Sequence, residues 1–213
     1  MSRKKLQRFA ETEKFPNLAQ VHQPDIKEKL ADFLEDNNSI ILELACGKGA
    51  YTLALAKKLP HIKFIGIDIQ GERLWSGAKQ AIEQNLKNVF FLRIQIENLA
   101  EYFTKNSINE ILITFPDPFP REKQLRKRLT SYRFLEIYKQ LIKEDGLIHL
   151  KTDDENLFDF SVETIQNFGG TIKTNTKDIY SKINIDPILE IKTYYEHMHL
   201  KAGKKINYLK FSL

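Results

Sequence analysis

Ile40-Ile-Leu-Glu-Leu-Ala-Cys-Gly-Lys-Gly49 runs from a nearly continuous apolar stretch into a turn with two glycines, and Ala50 to Leu59, of helical composition, follows until Pro60 stops it. Strand, glycine turn and helix in that order open a parallel α/β unit, because a strand covered on both faces needs apolar residues at consecutive positions. The alternation continues outward. Ile62 to Ile67 reads as a strand, Gly71 to Asn85 as a helix, Val89 to Ile94 as a strand, Glu97 to Thr104 as a short helix and Ile108 to Phe115 as a fourth strand. After the proline-rich turn Pro116 to Pro120 come a basic loop, a helix over Ser131 to Lys143, the strand Leu147 to Lys151 behind Gly146, and a helix over Asp154 to Phe168. Asp25 to Leu34 has helical spacing ahead of this series. The tail differs: Thr171 to Thr176, Thr193 to Leu200 and Ile206 to Phe211 read as strands with no helices between them. The pattern predicts an α/β fold, a doubly wound and mostly parallel sheet with an antiparallel C-terminal edge.

The chain has 213 residues, 42% hydrophobic and 29% charged, values of an ordinary globular domain. One domain over 23–213, preceded by a basic arm over 1–22, accommodates it. The longest apolar runs, such as Ile40 to Cys46, are interrupted by Glu43 and too short to span a bilayer, so no membrane partner is expected. No apolar core follows the basic N-terminus, which therefore does not read as a secretory signal, and a cytoplasmic location is expected. Cys46 is the single cysteine, and no metal site is expected, since His197 and His199 lack a third ligand and read as surface residues. The net charge of +5 is unevenly spread: Arg121 to Lys143 holds eight basic residues against two acidic ones. Smaller clusters are Arg3, Lys4, Lys5 and Arg8, and Lys201, Lys204 and Lys205. Such patches suit an anionic partner.

In an open α/β sheet, ligands lie beyond the carboxyl ends of the strands. The first of these strands ends at Glu43 with Gly47 and Gly49 after it, and the second ends at Asp68, where a carboxylate can accept from ribose hydroxyls. Dinucleotide enzymes and methyltransferases share this arrangement. The dinucleotide fingerprint wants a third glycine where Thr52 stands, and Glu43 suits a cationic sulfonium better than a pyrophosphate. A glycine turn in an unrelated α/β protein remains the alternative. The third strand ends at Gln95 and Ile96, positions that meet an adenine edge if the cofactor is a methyl donor; Gln95 reads equally as a surface residue.

The fourth strand ends in Thr114-Phe-Pro-Asp-Pro-Phe-Pro120, where prolines on both sides of Asp117 fix the backbone and a basic loop follows at once. With Glu43-Leu-Ala-Cys-Gly-Lys-Gly49, Phe64-Ile-Gly-Ile-Asp68, Leu86-Lys-Asn-Val89, Lys127-Arg-Leu-Thr130, Lys151-Thr-Asp153 and Thr193-Tyr-Tyr-Glu196, this stretch resembles the bacterial tRNA (guanine-N7)-methyltransferase family along most of the chain. The resemblance implies a Rossmann-like class I fold that uses S-adenosyl-L-methionine and methylates N7 of a guanine in tRNA, the variable-loop guanine at tRNA position 46. It places Glu43, Gly47, Gly49, Asp68, Gln95, Ile96 and Asp117 at cofactor contacts, with Asp117 also catalytic. It places Arg121, Asp153, Thr193, Tyr194, Tyr195 and Glu196 at substrate contacts. Lys123, Arg126, Lys127 and Arg128 are the candidates for RNA phosphate contacts. Asp153 reads equally well as the cap of the helix that follows it.

Some positions depart from the family pattern. Phe119 replaces a usual tryptophan, Arg121 a lysine, Lys127 an arginine and Gln95 an acid or asparagine; Gln124 replaces a histidine, which removes any titrating role there. Three rivals stand beside this reading: another RNA methyltransferase or an amino-group methyltransferase, the latter's usual Asn-Pro-Pro-aromatic motif differing from Pro116-Asp117-Pro118-Phe119; a non-catalytic RNA-binding protein of the same fold; and a nicotinamide oxidoreductase. Failure to bind S-adenosylmethionine favours the second, and cofactor titration separates the third. A monomer and a homodimer are equally compatible with the sequence.

Overall fold

The computed structural model describes residues 3–36, 39–181 and 189–213, and the side chains of all of these except 3–6, 9 and 195. The side chains of Arg3, Lys4, Lys5 and Tyr195 therefore lie outside the described residues. The chain forms two compact units, Met1–Tyr102 and Phe103–Leu213.

The first unit contains helices α1 (Arg3–Thr12), α2 (Ile26–Leu34), α3 (Ala50–Lys58) and α4 (Gly71–Glu83) and strands β1 (Leu18–Gln20), β2 (Ile40–Leu44), β3 (Lys63–Ile67) and β4 (Val89–Arg93). Its strands run β1-β4-β3-β2, all parallel. Leu42, Leu44, Ile65, Ile67, Phe90 and Leu92 are buried, which is why these strands read as continuous apolar runs. Residues 1–22, expected as an arm, hold two elements instead: α1 packs on α4 through the Arg8–Glu72 ion pair and a Trp75 indole N–H donated to Glu11 (2.8 Å), and β1 pairs with β4.

Small residues let the layers of this unit close. A Cβ on Gly49, Gly66 or Gly77 would lie 2.5, 2.7 or 2.8 Å from the Phe91 ring, so glycines from the turn, β3 and α4 enclose one aromatic side chain. Gly49 also carries φ of 65°, a left-handed conformation that glycine adopts at no steric cost.

The second unit contains β5 (Ile108–Thr114), α5 (Tyr132–Leu141), β6 (Ile142–Thr152), α6 (Glu155–Phe168), β7 (Thr171–Thr176), α7 (Tyr194–Lys201) and β8 (Asn207–Ser212). The order is β5-β6-β8-β7; β5 and β6 are parallel, and β8 runs antiparallel to both β6 and β7. This is the expected α/β architecture, mostly parallel with an antiparallel C-terminal edge. α6 starts at Asp154, whose Oδ1 accepts from the Leu157 amide (2.7 Å), and ends at Gly169 with φ of 88°.

One element differs in type from its expectation. Thr193 to Leu200, expected as a strand, instead forms the N-cap and most of α7. The Thr193 hydroxyl accepts from the Glu196 amide (3.2 Å) as an N-cap, and the Thr-x-x-Glu spacing is that of a capping box.

Among the described residues, no helix is long and apolar enough to cross a membrane, and no group of three or more His, Cys, Asp or Glu side chains is placed to hold a metal.

Candidate active site

In the first unit the parallel strands bring their carboxyl ends to one edge. β2 leaves the sheet through Ala45, with φ of 54°, and Gly47, with φ of 58°, and the Cys46 amide donates to the Ile67 carbonyl (3.0 Å), which fastens the turn to the end of β3. Asp68 completes the junction. Its Oδ2 accepts from the Gly47 amide and its Oδ1 from the Gln70 amide, both at 2.8 Å. Asp68 and Gly47, 21 residues apart in the chain, thus form one structure. Where a Cβ on Gly47 would sit, the nearest atom is an Arg73 carbon 4.0 Å away, so the backbone stays open to close approach.

Glu43 is buried beneath this turn, where its Oε2 accepts from the Thr52 amide (2.9 Å) and the Thr52 hydroxyl (2.5 Å). A carboxylate on the third residue of α3 satisfies an amide that the helix leaves without an intrahelical acceptor. Thr52, notable in the sequence only as the glycine missing from a dinucleotide fingerprint, is the partner that fixes Glu43. Burial above all, with Glu43 and Asp68 nearby, pushes the Cys46 thiol well above its usual range, so Cys46 is an inert packing residue.

At the end of β4, Gln95 is exposed and precedes the short 3-10 segment Ile96–Glu101; Ile96 is half-buried. Arg93, not singled out from the sequence, donates from Nε to the Ile69 carbonyl (3.1 Å) and from Nη1 to Gln20 Oε1 (3.0 Å). It ties the ends of β1, β3 and β4 together. Ile69, also missed, is 59% exposed directly after Asp68. An apolar residue after a strand-end acid was the available signal.

In the second unit, β5 ends in a sharply bent loop. Phe115 and Phe119 have φ of 49° and 43°, a conformation non-glycine residues seldom adopt. Asp117 is exposed, and its Oδ1 accepts from the Phe119 amide at 3.2 Å. The loop is held from behind: the Arg128 Nε donates to the Pro118 carbonyl (2.9 Å), and the guanidinium lies 4.6 Å from the Phe160 ring centre. Arg128 is only 4% exposed, and burial lowers its affinity for the proton. Its assignment to an RNA phosphate is corrected on this ground: it is a strut for the Asp117 loop. Arg121, Lys123, Arg126 and Lys127, along the 3-10 segment Glu122–Lys127 and its start, are exposed.

The remaining substrate candidates divide. Asp154, not Asp153, caps α6. Asp153 Oδ2 instead receives His199 Nδ1 (3.2 Å) and Lys204 Nζ (2.5 Å), and the His199 ring stacks on Phe115 at 5.7 Å. Tyr194 is exposed on α7. Glu196 is 0% exposed, with Oε1 and Oε2 at 2.7 and 2.9 Å from Lys151 Nζ and the Tyr180 hydroxyl donating to Oε1 at 2.5 Å. Of the two expected substrate contacts, Thr193 caps α7 and Glu196 anchors it to β6. Lys151 also donates to the Leu189 and Ile191 carbonyls, at 3.2 and 3.3 Å.

Over its whole length the chain is 41% identical to the tRNA (guanine-N(7)-)-methyltransferase of Christiangramia forsetii, 99% of which is covered. The chain belongs to this family. The enzyme of the same name from Bacteroides fragilis is 38% identical over the whole chain, with 87% of it covered, and residues 37–209 match a family described as putative methyltransferase. Among solved structures, an antibiotic-related methyltransferase (TM-score 0.64, 21% identity, 88% of this chain and 93% of that one) and the 16S rRNA methyltransferase KamB (TM-score 0.67, 12% identity, 87% and 93%) share the fold. Family membership and fold agree with the α/β reading made from the strand ends.

Proposed function

We propose that this member of the tRNA (guanine-N(7)-)-methyltransferase family takes its methyl group from S-adenosyl-L-methionine and delivers it to N7 of the variable-loop guanine of tRNA. The observation that carries the proposal is the exposed Asp117, fixed by flanking prolines and the Arg128 strut, beside a run of exposed basic side chains.

The edge of the first unit fits the donor. Each Asp68 oxygen accepts one amide and retains capacity for a ribose hydroxyl, Gly47 and Gly49 leave the backbone bare, and Ile69 gives an apolar surface on which a purine packs. Glu43 contributes a negative charge beneath the turn, of the right sign for a cationic ligand. Gln95 and Ile96 meet the adenine edge. When bound, S-adenosylmethionine supplies an electrophilic methyl group on a sulfonium.

Guanine N7 carries an in-plane lone pair in the neutral base, so the protein needs no general base; orientation governs the rate. Asp117 accepts hydrogen bonds from the base edge and stabilises the positive charge that grows on the ring as N7 is alkylated. Arg121, Lys123, Arg126 and Lys127 hold phosphates, and Asp153 and Tyr194 border the base or ribose. Tyr195 belongs to the same proposed set. A target engaged in the tertiary fold of tRNA has to swing out to reach such a group.

Incubation with labelled S-adenosylmethionine and unmodified tRNA, followed by mapping of the product, tests the proposal. Label at N7 of the variable-loop guanine is expected; label on another atom or nucleotide, or none, refutes it.

A further inference from the structure

The proposed chemistry uses Asp117 and the exposed basic side chains that follow it, and leaves unexplained a groove of about 640 Å³ in the second unit. Leu125 and Arg126 form one side, Ser131, Tyr132 and Arg133 at the start of α5 another, and Phe160, Glu163, Thr164 and Asn167 of α6 the third, so that one carboxylate stands against two guanidinium groups. Its walls are mostly apolar, and its size falls within the roughly 300–1,000 Å³ of small-molecule sites. Tyr132 stays 49% exposed although its ring edge is braced by Phe168 at 5.7 Å. A steadied aromatic ring in a groove that Arg126 and Arg133 also line, the Arg133 guanidinium 4.7 Å from the Phe134 ring centre, offers a stacking surface and anion donors together.

We infer that this groove is a second nucleotide subsite, taking an unpaired nucleotide of the substrate tRNA other than the methylated guanine, with its base on Tyr132 and its phosphate toward Arg126 and Arg133. The inference rests on tRNA being the substrate. Charge selects RNA over a second copy of this chain: besides the inward-turned Arg128, Arg121 to Lys143 carries seven basic residues against two acidic ones, and two copies of such a segment repel each other. Arg128 connects the groove to the reacting centre, since it stacks on Phe160 in the groove wall and donates to Pro118 beside Asp117.

The test uses the full chain and an unmodified tRNA transcript that the wild type methylates. Tyr132→Ala is expected to raise KM for tRNA about tenfold, the scale of a single base stack removed, with kcat and the Kd for S-adenosylhomocysteine unchanged. Tyr132→Phe, which keeps the ring, is expected to restore KM. p-Benzoylphenylalanine in place of Tyr132 is expected to crosslink on irradiation to a tRNA nucleotide other than the methylated guanine, and this reading survives even if the alanine variant folds poorly. A wild-type KM in Tyr132→Ala, a crosslink to a second copy of the chain, or no crosslink at saturating tRNA overturns the subsite while leaving methyl transfer intact. Failure of the wild type to methylate any tRNA overturns the substrate proposal, and the subsite with it.

Discussion

The two units treat their signature carboxylates differently. In the first, Asp68 and Glu43 are met by the Gly47, Gln70 and Thr52 amides, so the motif residues themselves build the edge proposed for the methyl donor. In the second, Glu196 is sealed against Lys151 and Tyr180, Arg128 is turned inward behind Pro118, and the exposed groups, those proposed to meet the substrate, are Asp117, Arg121, Lys123, Arg126 and Lys127. A signature stretch can therefore mark the contact or the scaffold that presents it. Binding a small donor rests on backbone geometry set over a few residues, whereas presenting side chains to a large polyanion requires struts from distant parts of the chain.

Glu196→Gln attacks this contrast most directly. Leaving the Lys151 ammonium buried without its counter-charge is expected to cost about 3–5 kcal/mol in denaturant unfolding. If stability is kept and only KM for tRNA rises, Glu196 is a substrate contact and the contrast fails. Asp117→Ala sharpens the other side: the residue is exposed, so the melting temperature is expected to hold while methyl transfer falls about 100- to 1,000-fold, the scale of one charge-stabilising group removed. Turnover near that of the wild type removes Asp117 from the mechanism.

Gly66→Ala probes the first unit, where the added methyl meets Phe91 at 2.7 Å and Cys46 Sγ at 2.9 Å. Overpacking of this kind costs about 1–3 kcal/mol, and combination with Phe91→Leu is expected to cost less than the two changes summed. Additive losses in a double-mutant cycle contradict the shared enclosure. Replacing Lys123, Arg126 and Lys127 with glutamine is expected to lower the slope of log Kd for tRNA against log salt by about one for each phosphate no longer neutralised. Arg128→Gln is expected to leave that slope alone and to reduce stability and kcat; a changed slope returns Arg128 to the RNA surface.

The smallest effect is on pH dependence. Burial, and then the Glu196 carboxylate, hold the Tyr180 phenol protonated well beyond its ordinary range. Above about pH 10, where the unfolded phenol ionises, the folded state keeps a proton that the unfolded state loses, so stability declines as pH rises. Tyr180→Phe is expected to remove that part of the decline, read as the difference between the two proteins' unfolding free energies from about pH 9 to 11. Identical alkaline slopes count against the buried network.

The legible parts of the molecule are those encoded over short distances. Apolar runs such as Ile40 to Leu44 and Val89 to Arg93 declare parallel strands because both their faces are covered, and the strand-end positions of Glu43, Asp68 and Asp117 follow from them. β1 escapes notice because Leu18–Gln20 is too short to show a period. α7 reads as a strand because histidine alternation mimics one, although Thr193-x-x-Glu196 already holds a helix start. Which of Arg126, Lys127 and Arg128 turns inward is invisible in the sequence, since the answer depends on Phe160 and on the Pro118 carbonyl. The same holds for Asp153 and Asp154, adjacent and identical in type: one receives His199 and Lys204 and the other caps α6.

The enclosure of Phe91 has a historical corollary. Three glycines on three separate elements crowd one ring, so a side chain added at 49, 66 or 77 is felt at 91. In a descendant that shrinks the ring, alanine at 66 loses its nearest clash but still meets the Cys46 Sγ at 2.9 Å. Position 77 still faces the Lys48 carbonyl at 2.6 Å, and position 49 is held to glycine by its own left-handed backbone.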